Sequence, residues 1–378
     1  MRAHRLSIVL WALVAVAPAA AGLGQVITID HDDTDLTALS EASINKAKSL
    51  LHIAYGHTSH GSQVTDGMTG LVDFVNGGGL GLTHPDDLFA WNNGGAGGAL
   101  DLHDRFRSGD LGNPDRTTWA VRTRDYLGEA ANGDVNVIMW SWCGQADTSA
   151  ANISLYLSTM SLLEADYPDV CFVYMTGHVN GCATTENLFL RNQQIRDYCT
   201  AGGKILYDFA GIESYDPDGA YYGDKRVTDD CWYDSDGNGS RDRNWAADWQ
   251  GSHVEDVDWY SCSAAHSYPL NGNRKAYAAW TLWTEIAARI APPSPGDTDQ
   301  DGDVDFDDYC TVRDAFGGTG MEWGDGDCDG DGVLGVADYL ALKIAYTSVG
   351  ADATLPEPAT LSLLAPAGLA LLLRRRVN

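Results

Sequence analysis

Positive charge is scarce in this 378-residue chain: 24 Lys and Arg stand against 53 Asp and Glu, a formal net charge of -29. Phosphate binding needs clustered Lys and Arg, so nucleic acid is excluded as a partner. Two zinc patterns are also missing, since the chain holds neither His-Glu-x-x-His nor Cys-x-x-Cys, and the zinc chemistry those spacings support loses its sequence basis. The apolar stretch that ends at Leu373 is only about 15 residues, short of the roughly 20 that a stable membrane span needs.

Both ends read as addresses. Arg2, His4 and Arg5 precede an apolar run from Leu6 to Val16, and Ala19-Ala20-Ala21 offers small residues for cleavage, which predicts a signal peptide over 1–21. Near the other end Pro356-Glu357-Pro358 leads into an apolar stretch and then Arg374-Arg375-Arg376. That arrangement, over 350–378, resembles a PEP-CTERM sorting tail. The resemblance implies transient membrane contact, cutting by an exosortase-type enzyme, and a secreted or bacterial cell-surface address. Eight cysteines in an exported chain suit an oxidising compartment, where Cys143 is expected in a disulfide rather than as a thiol nucleophile.

The residues 293–349 hold two acidic near-repeats with oxygen donors at loop positions 1, 3 and 5, Gly at 6 and a carboxylate at 12, the spacing of a calcium loop. In the first, Asp297, Asp299, Asp301, Asp305 and Asp308 are candidate side-chain ligands and Asp303 offers its carbonyl. In the second, Asp327, Asp329, Asp331 and Asp338 take these places, with Gly335 at position 9. The pair resembles a type I dockerin, which implies a small all-α module, structural calcium and a cohesin-like partner. A further loop, Asp234, Asp236, Asn238 and Asp242, begins in the same way but has Trp245 at position 12. A structural calcium and an Asx-turn loop are both open there.

Between them, residues 22–292 alternate apolar strand-like runs with amphipathic stretches. Leu50 to Tyr55, Val135 to Trp140, Val170 to Met175 and Lys204 to Tyr207 read as buried strands. Helical spacing follows in Val64, Met68, Leu71 and Val75, in Ile153 to Leu163 and in Leu188 to Ile195. Alternation of this kind predicts an α/β fold with a parallel sheet and helices on both faces. Ligands then bind beyond the carboxyl ends of the strands. The segments there are polar: Gly56-His57-Thr58-Ser59-His60-Gly61, Ser141-Trp142-Cys143-Gly144-Gln145 and Thr176-Gly177-His178-Val179-Asn180.

This order, with His266 just before a last helix, resembles the SGNH or GDSL-type hydrolases, whose sheet is flavodoxin-like. The resemblance implies Ser59 as nucleophile, His266 as base, Gly94 or Gly95 as a loop donor and Gln145 or Asn180 as an amide donor to an oxyanion. It implies hydrolysis of an ester, an acyl group on extracellular polysaccharide. The residue three before His266 is Ser263 where the family has Asp, and Asp256 and Asp258 are the nearest substitutes. Two rival readings compete. Ser59 could cap the following helix, leaving a non-catalytic glycan-binding scaffold; or His57, His60, His178 and His266 could hold zinc.

Overall fold

A computed structural model describes residues 26–290, 295–298, 304–321, 323–329 and 331–348. The chain divides into two compact units, Met1–Ile286 and Ala287–Asn378. The two address segments lie outside the described residues, as do Asp299, Asp301 and Asp303. Among the described residues no helix is long and apolar enough to cross a membrane.

Seven strands of the large unit form one sheet: β1 (Ile27–Ile29), β2 (His52–Gly56), β3 (Trp91–Asn92), β4 (Leu100–Asp104), β5 (Val137–Trp140), β6 (Cys171–Met175) and β7 (Ile205–Tyr207). Their order is β1-β7-β6-β5-β2-β4-β3, and every pairing is parallel. The four apolar runs are β2, β5, β6 and β7, the buried centre of the sheet. Counted in chain order without the edge strands β1 and β3, the five central strands read 2-1-3-4-5. This is the flavodoxin-like order, and its switch point falls between β2 and β5.

Eight helices accompany the sheet: α1 (Glu41–Leu50), α2 (Ser62–Asn76), α3 (Thr118–Leu127), α4 (Ala150–Asp166), α5 (Asn187–Gly202), α6 (Phe209–Glu213), α7 (Trp245–Ser252) and α8 (Pro269–Ile290). On one face Ala54, Ile138, Trp140, Phe172, Tyr174 and Leu206 join a buried cluster with Trp119 of α3, Met160 of α4 and Ile195 of α5. Successive strand residues point to opposite faces, so the intervening side chains meet the other layer. There the Tyr207 hydroxyl donates to the Lys275 carbonyl of α8 at 2.7 Å. The helices α2 and α8 approach so closely that a Cβ on Gly67 would lie 2.2 Å from the Gly272 carbonyl oxygen. Glycine is needed there because two backbones touch.

In the small unit α9 (Phe306–Ala315) and α10 (Val336–Ser348) pack about a core of Val304, Tyr309, Val312, Leu334, Tyr339 and Leu342. The start of α9 is fixed by a capping box, in which the Asp305 side chain and the Asp308 side chain take up each other's backbone N–H groups.

Candidate active site

The switch point between β2 and β5 brings together the turns that follow these two strands. Ser59 sits in the first turn and Cys143 in the second, with their Oγ and Sγ atoms 3.4 Å apart. On its other side Ser59 Oγ lies 3.0 Å from His266 Nε2, a contact spanning more than 200 residues of chain. With that nitrogen unprotonated, the hydroxyl donates to it. Ser59 does not cap the helix: the cap residue of α2 is Gly61, without a side-chain capping bond. Among the described residues the Ser59 backbone N–H donates to no protein acceptor, which leaves it for an oxyanion.

His266 is held where it is by its neighbours. Its φ of 64° lies in the left-handed region, which costs a non-glycine residue roughly 1–3 kcal/mol. Gln63 donates its amide to the Ala265 carbonyl and Ser267 Oγ donates to the Asp229 carbonyl at 2.6 Å. Behind Gln63 the buried Lys275 ammonium donates to the Gln63 side-chain oxygen and, at 2.5 Å, to Glu213. The other Glu213 oxygen accepts the Val179 N–H at 2.8 Å. A buried ion pair thus underlies the loop that carries His266. Burial pushes the Lys275 pKa down, and the Glu213 carboxylate opposes that shift.

A second chain of contacts starts at Cys143. Its Sγ is 3.1 Å from His60 Nδ1, and His60 Nε2 is 2.9 Å from Asp229 Oδ2. Burial works against a charge on His60, but its hydrogen bonds to Asp229 and Cys143 outweigh it and raise the pKa to about 9. The His60 hydrogen bond in turn lowers the Cys143 thiol to about 6 against the opposing effect of burial. Burial alone would raise the Asp229 carboxyl, and the bond to His60 reverses this and holds it below its ordinary value. Cysteine, histidine and aspartate therefore stand in the relative order nucleophile, base and orienting acid. Cys143 is not joined in a disulfide; in place of the expected bridge its thiol stands against His60.

His60, His178 and Asp229 are close enough to be considered as metal ligands, and their geometry argues against it. The rings of His60 and His178 are stacked, 3.9 Å between centroids and 7° apart in plane. An imidazole presents its lone pair in the ring plane, so two stacked parallel rings do not converge on one ion. The His178 Nδ1 also faces the Val179 carbonyl at 2.6 Å, where it must carry a proton. His57 is further removed from the zinc set: its Nε2 meets Asp104 at 2.6 Å and its Nδ1 the Thr58 carbonyl at 2.9 Å. It ties the ends of β2 and β4 together. His266 stacks on the opposite face of the same group, 4.5 Å from His60.

Two expected donors lie elsewhere, and a third is engaged by its neighbours. The Gly94 N–H donates to Asp101 Oδ1 at 2.6 Å, and Asp101 pairs with His52 at the amino end of β2. The two-residue β3 pairs low on β4, which carries Gly94 away from the carboxyl edge. Asn180 is exposed and donates to Asp147 at 3.4 Å. Gln145 is adjacent to the site, but its side-chain oxygen accepts the Cys143 N–H at 3.0 Å and its amide is 3.4 Å from Asp110. The loop that does reach this edge follows β4: Thr58 Oγ1 donates to Asp110 Oδ2 at 2.7 Å, and the Leu111 N–H to the Ser141 carbonyl at 2.9 Å. Nor does a carboxylate replace the missing Asp beside His266 among the described residues. Asp258 accepts the Val254 N–H instead, and Asp256 bonds through its backbone to Trp259.

The calcium loops divide. Donor oxygens of Asp327, Asp329 and Asp338 come within 4.8 Å of one another, and hard carboxylate oxygens at that spacing suit calcium. Asp331 accepts the Val333 N–H and stands outside that group. In the first loop Asp308 accepts the Thr298 N–H at 2.6 Å and the Asp305 N–H at 2.8 Å, while Asp297 is buried. In the loop of Asp234, Asp236, Asn238 and Asp242 the carboxylates accept backbone N–H groups. Asp234 accepts the N–H groups of Gly237 and Gly239, Asp236 that of Asn238, and Asp242 both the N–H and the hydroxyl of Ser235. That loop joins β8 (Trp232–Tyr233) to β9 (Arg243–Asn244) in a short antiparallel hairpin and contains Asx-type turns.

No protein family, characterised protein or solved structure matches this chain.

Proposed function

We propose that the large unit is a hydrolase that cleaves an ester, an acyl group on an extracellular polysaccharide, with Ser59 as nucleophile and His266 as base. One observation carries this: Ser59 Oγ and His266 Nε2 are 3.0 Å apart at the switch point of the sheet, where this fold binds its ligands. A scaffold has no need of that contact. His266 takes the Ser59 proton as the hydroxyl oxygen attacks the carbonyl carbon, then returns it to the leaving alcohol. A water deprotonated by His266 releases the acid. The free N–H of Ser59 receives the oxyanion. Without a carboxylate partner His266 works in a dyad, its position supplied by the Gln63 and Ser267 contacts.

Ser59→Ala abolishes labelling by a fluorophosphonate and lowers acetyl release from acetylated polysaccharides, and leaves the melting temperature nearly unchanged. Full hydrolysis by Ser59→Ala together with unlabelled wild type at Ser59 would refute the assignment.

For the small unit we propose structural calcium and a cohesin-like partner. The convergence of Asp327, Asp329 and Asp338 supports the metal, and the repeated loop spacing supports the dockerin resemblance. Export by the signal peptide and processing at Pro356-Glu357-Pro358 complete a cell-surface enzyme.

A further inference from the structure

The Ser59 and His266 pair leaves one group at the site without a task. Cys143 is half-buried, lies 3.4 Å from Ser59 Oγ, and has behind it the unbroken sequence His60 to Asp229 at 3.1 and 2.9 Å. Asp229 is fixed in turn: Ser267 Oγ and Asn271 Nδ2 both donate to its carbonyl. A carboxylate against Nε2 stabilises the doubly protonated imidazole, and that cation against Sγ stabilises the thiolate. Stacking confines the His60 ring between His178 and His266, so it cannot swing away from either partner.

We infer that Cys143 is a second nucleophile of this site, activated by His60 and Asp229, and that it takes the acyl group of an ester as a thioester. The inference rests on the proposed function only for the class of substrate. A carbonyl carbon within reach of Ser59 Oγ is also within reach of Sγ, because the two atoms are separated by about one van der Waals contact. The thiolate attacks that carbon and the ester C–O bond breaks. The His60 cation gives its Nδ1 proton to the leaving alcohol oxygen. Neutral His60 then takes a proton from water, whose oxygen attacks the thioester. The C–S bond breaks, the acid leaves, and the thiolate and cationic His60 are restored. No oxidant or reductant takes part.

The two nucleophiles differ in readiness. Ser59 must lose a proton in the transition state, whereas the Cys143 thiol at about 6 is mostly thiolate at neutral pH. Its bond to His60 survives up to the His60 pKa of about 9.

Two measurements test this. Iodoacetamide alkylation of Cys143 in the wild-type protein, followed by peptide mass spectrometry, should have its pH midpoint near 6. In His60→Ala the midpoint should rise toward the ordinary cysteine value of about 8.5. The midpoint is read rather than a single rate because a less acidic thiolate is intrinsically more nucleophilic. Ser59→Ala mixed with p-nitrophenyl acetate and quenched in acid should carry one acetyl group on Cys143, removable by neutral hydroxylamine. A wild-type midpoint near 8.5 with no acetyl on Cys143 overturns the inference, and fluorophosphonate labelling of Ser59 then leaves the serine assignment standing. Acetyl on Cys143 without any labelling of Ser59 upholds the inference and removes the serine assignment instead.

Discussion

Replacing Lys275 by Met should unfold the large unit at a much lower temperature and disable the site by a separate route. Lys275 and Glu213 are both fully buried and 2.5 Å apart. Removing one member of such a pair strands the other charge, which costs about 3–5 kcal/mol. In a unit of this size each kcal/mol moves the melting temperature by about 2–4 °C, so the expected fall is about 6–20 °C. Glu213→Leu combined with Lys275→Met should recover most of it, because a hydrophobic pair of similar volume replaces a buried ion pair at little cost. A shortfall of about 1–3 kcal/mol should remain, since Glu213 also accepts the Val179 N–H. Activity should not follow stability. Lys275 donates to Gln63, and Gln63 holds the Ala265 carbonyl next to His266; misplacement of a catalytic group by about 1 Å costs about 10²-fold. Thermal unfolding by circular dichroism and ester hydrolysis on the two single variants and the double variant separate these effects. A loss below about 1 kcal/mol for Lys275→Met, or strictly additive losses in the double variant, would refute the account of the pair.

Stability should respond to pH through His60. Its folded pKa is raised, so the stabilisation it confers is complete below about 6.5 and is lost as pH rises through about 9. Urea unfolding of wild type and Asp229→Asn should therefore differ most at pH 6 and converge above pH 9; a constant gap counts against the His60–Asp229 pair. Gly67→Ala should cost about 1–3 kcal/mol in denaturant unfolding, because its Cβ would sit 2.2 Å from the Gly272 carbonyl oxygen and force α2 and α8 apart. A neutral effect would mean that these helices are not in contact. Chelation of calcium should unfold the small unit and leave the large one folded, and Asp338→Ala should weaken the calcium dependence, since Asp338 belongs to the group with Asp327 and Asp329. Calorimetry with and without chelator measures both, and unchanged traces would remove the calcium assignment.

The sequence by itself determined the layered α/β class of the large unit. Its central strands β2, β5, β6 and β7 are continuous apolar runs because both faces are covered, and α2, α4 and α5 show the helical period of their buried stripes. It did not mark β4, whose Asp101, His103 and Asp104 break the apolar run, or the two- and three-residue edge strands. Ser59 and His266 were legible because they lie at a strand end and before the final helix, positions that parallel topology brings to one edge. What Cys143 contacts was decided by tertiary structure alone. Asp229 lies between α6 and β8 in a long irregular excursion, without periodicity or motif, and it meets His60 across 169 residues. Gly94 carried the opposite lesson: a glycine-rich loop has the composition of an oxyanion donor wherever it sits, and only the low register of β3 on β4 put it at the wrong end. Local pattern reports which residues are buried and in what period. Which polar groups meet at the edge of a sheet depends on crossover order and loop path, which no short stretch of sequence contains.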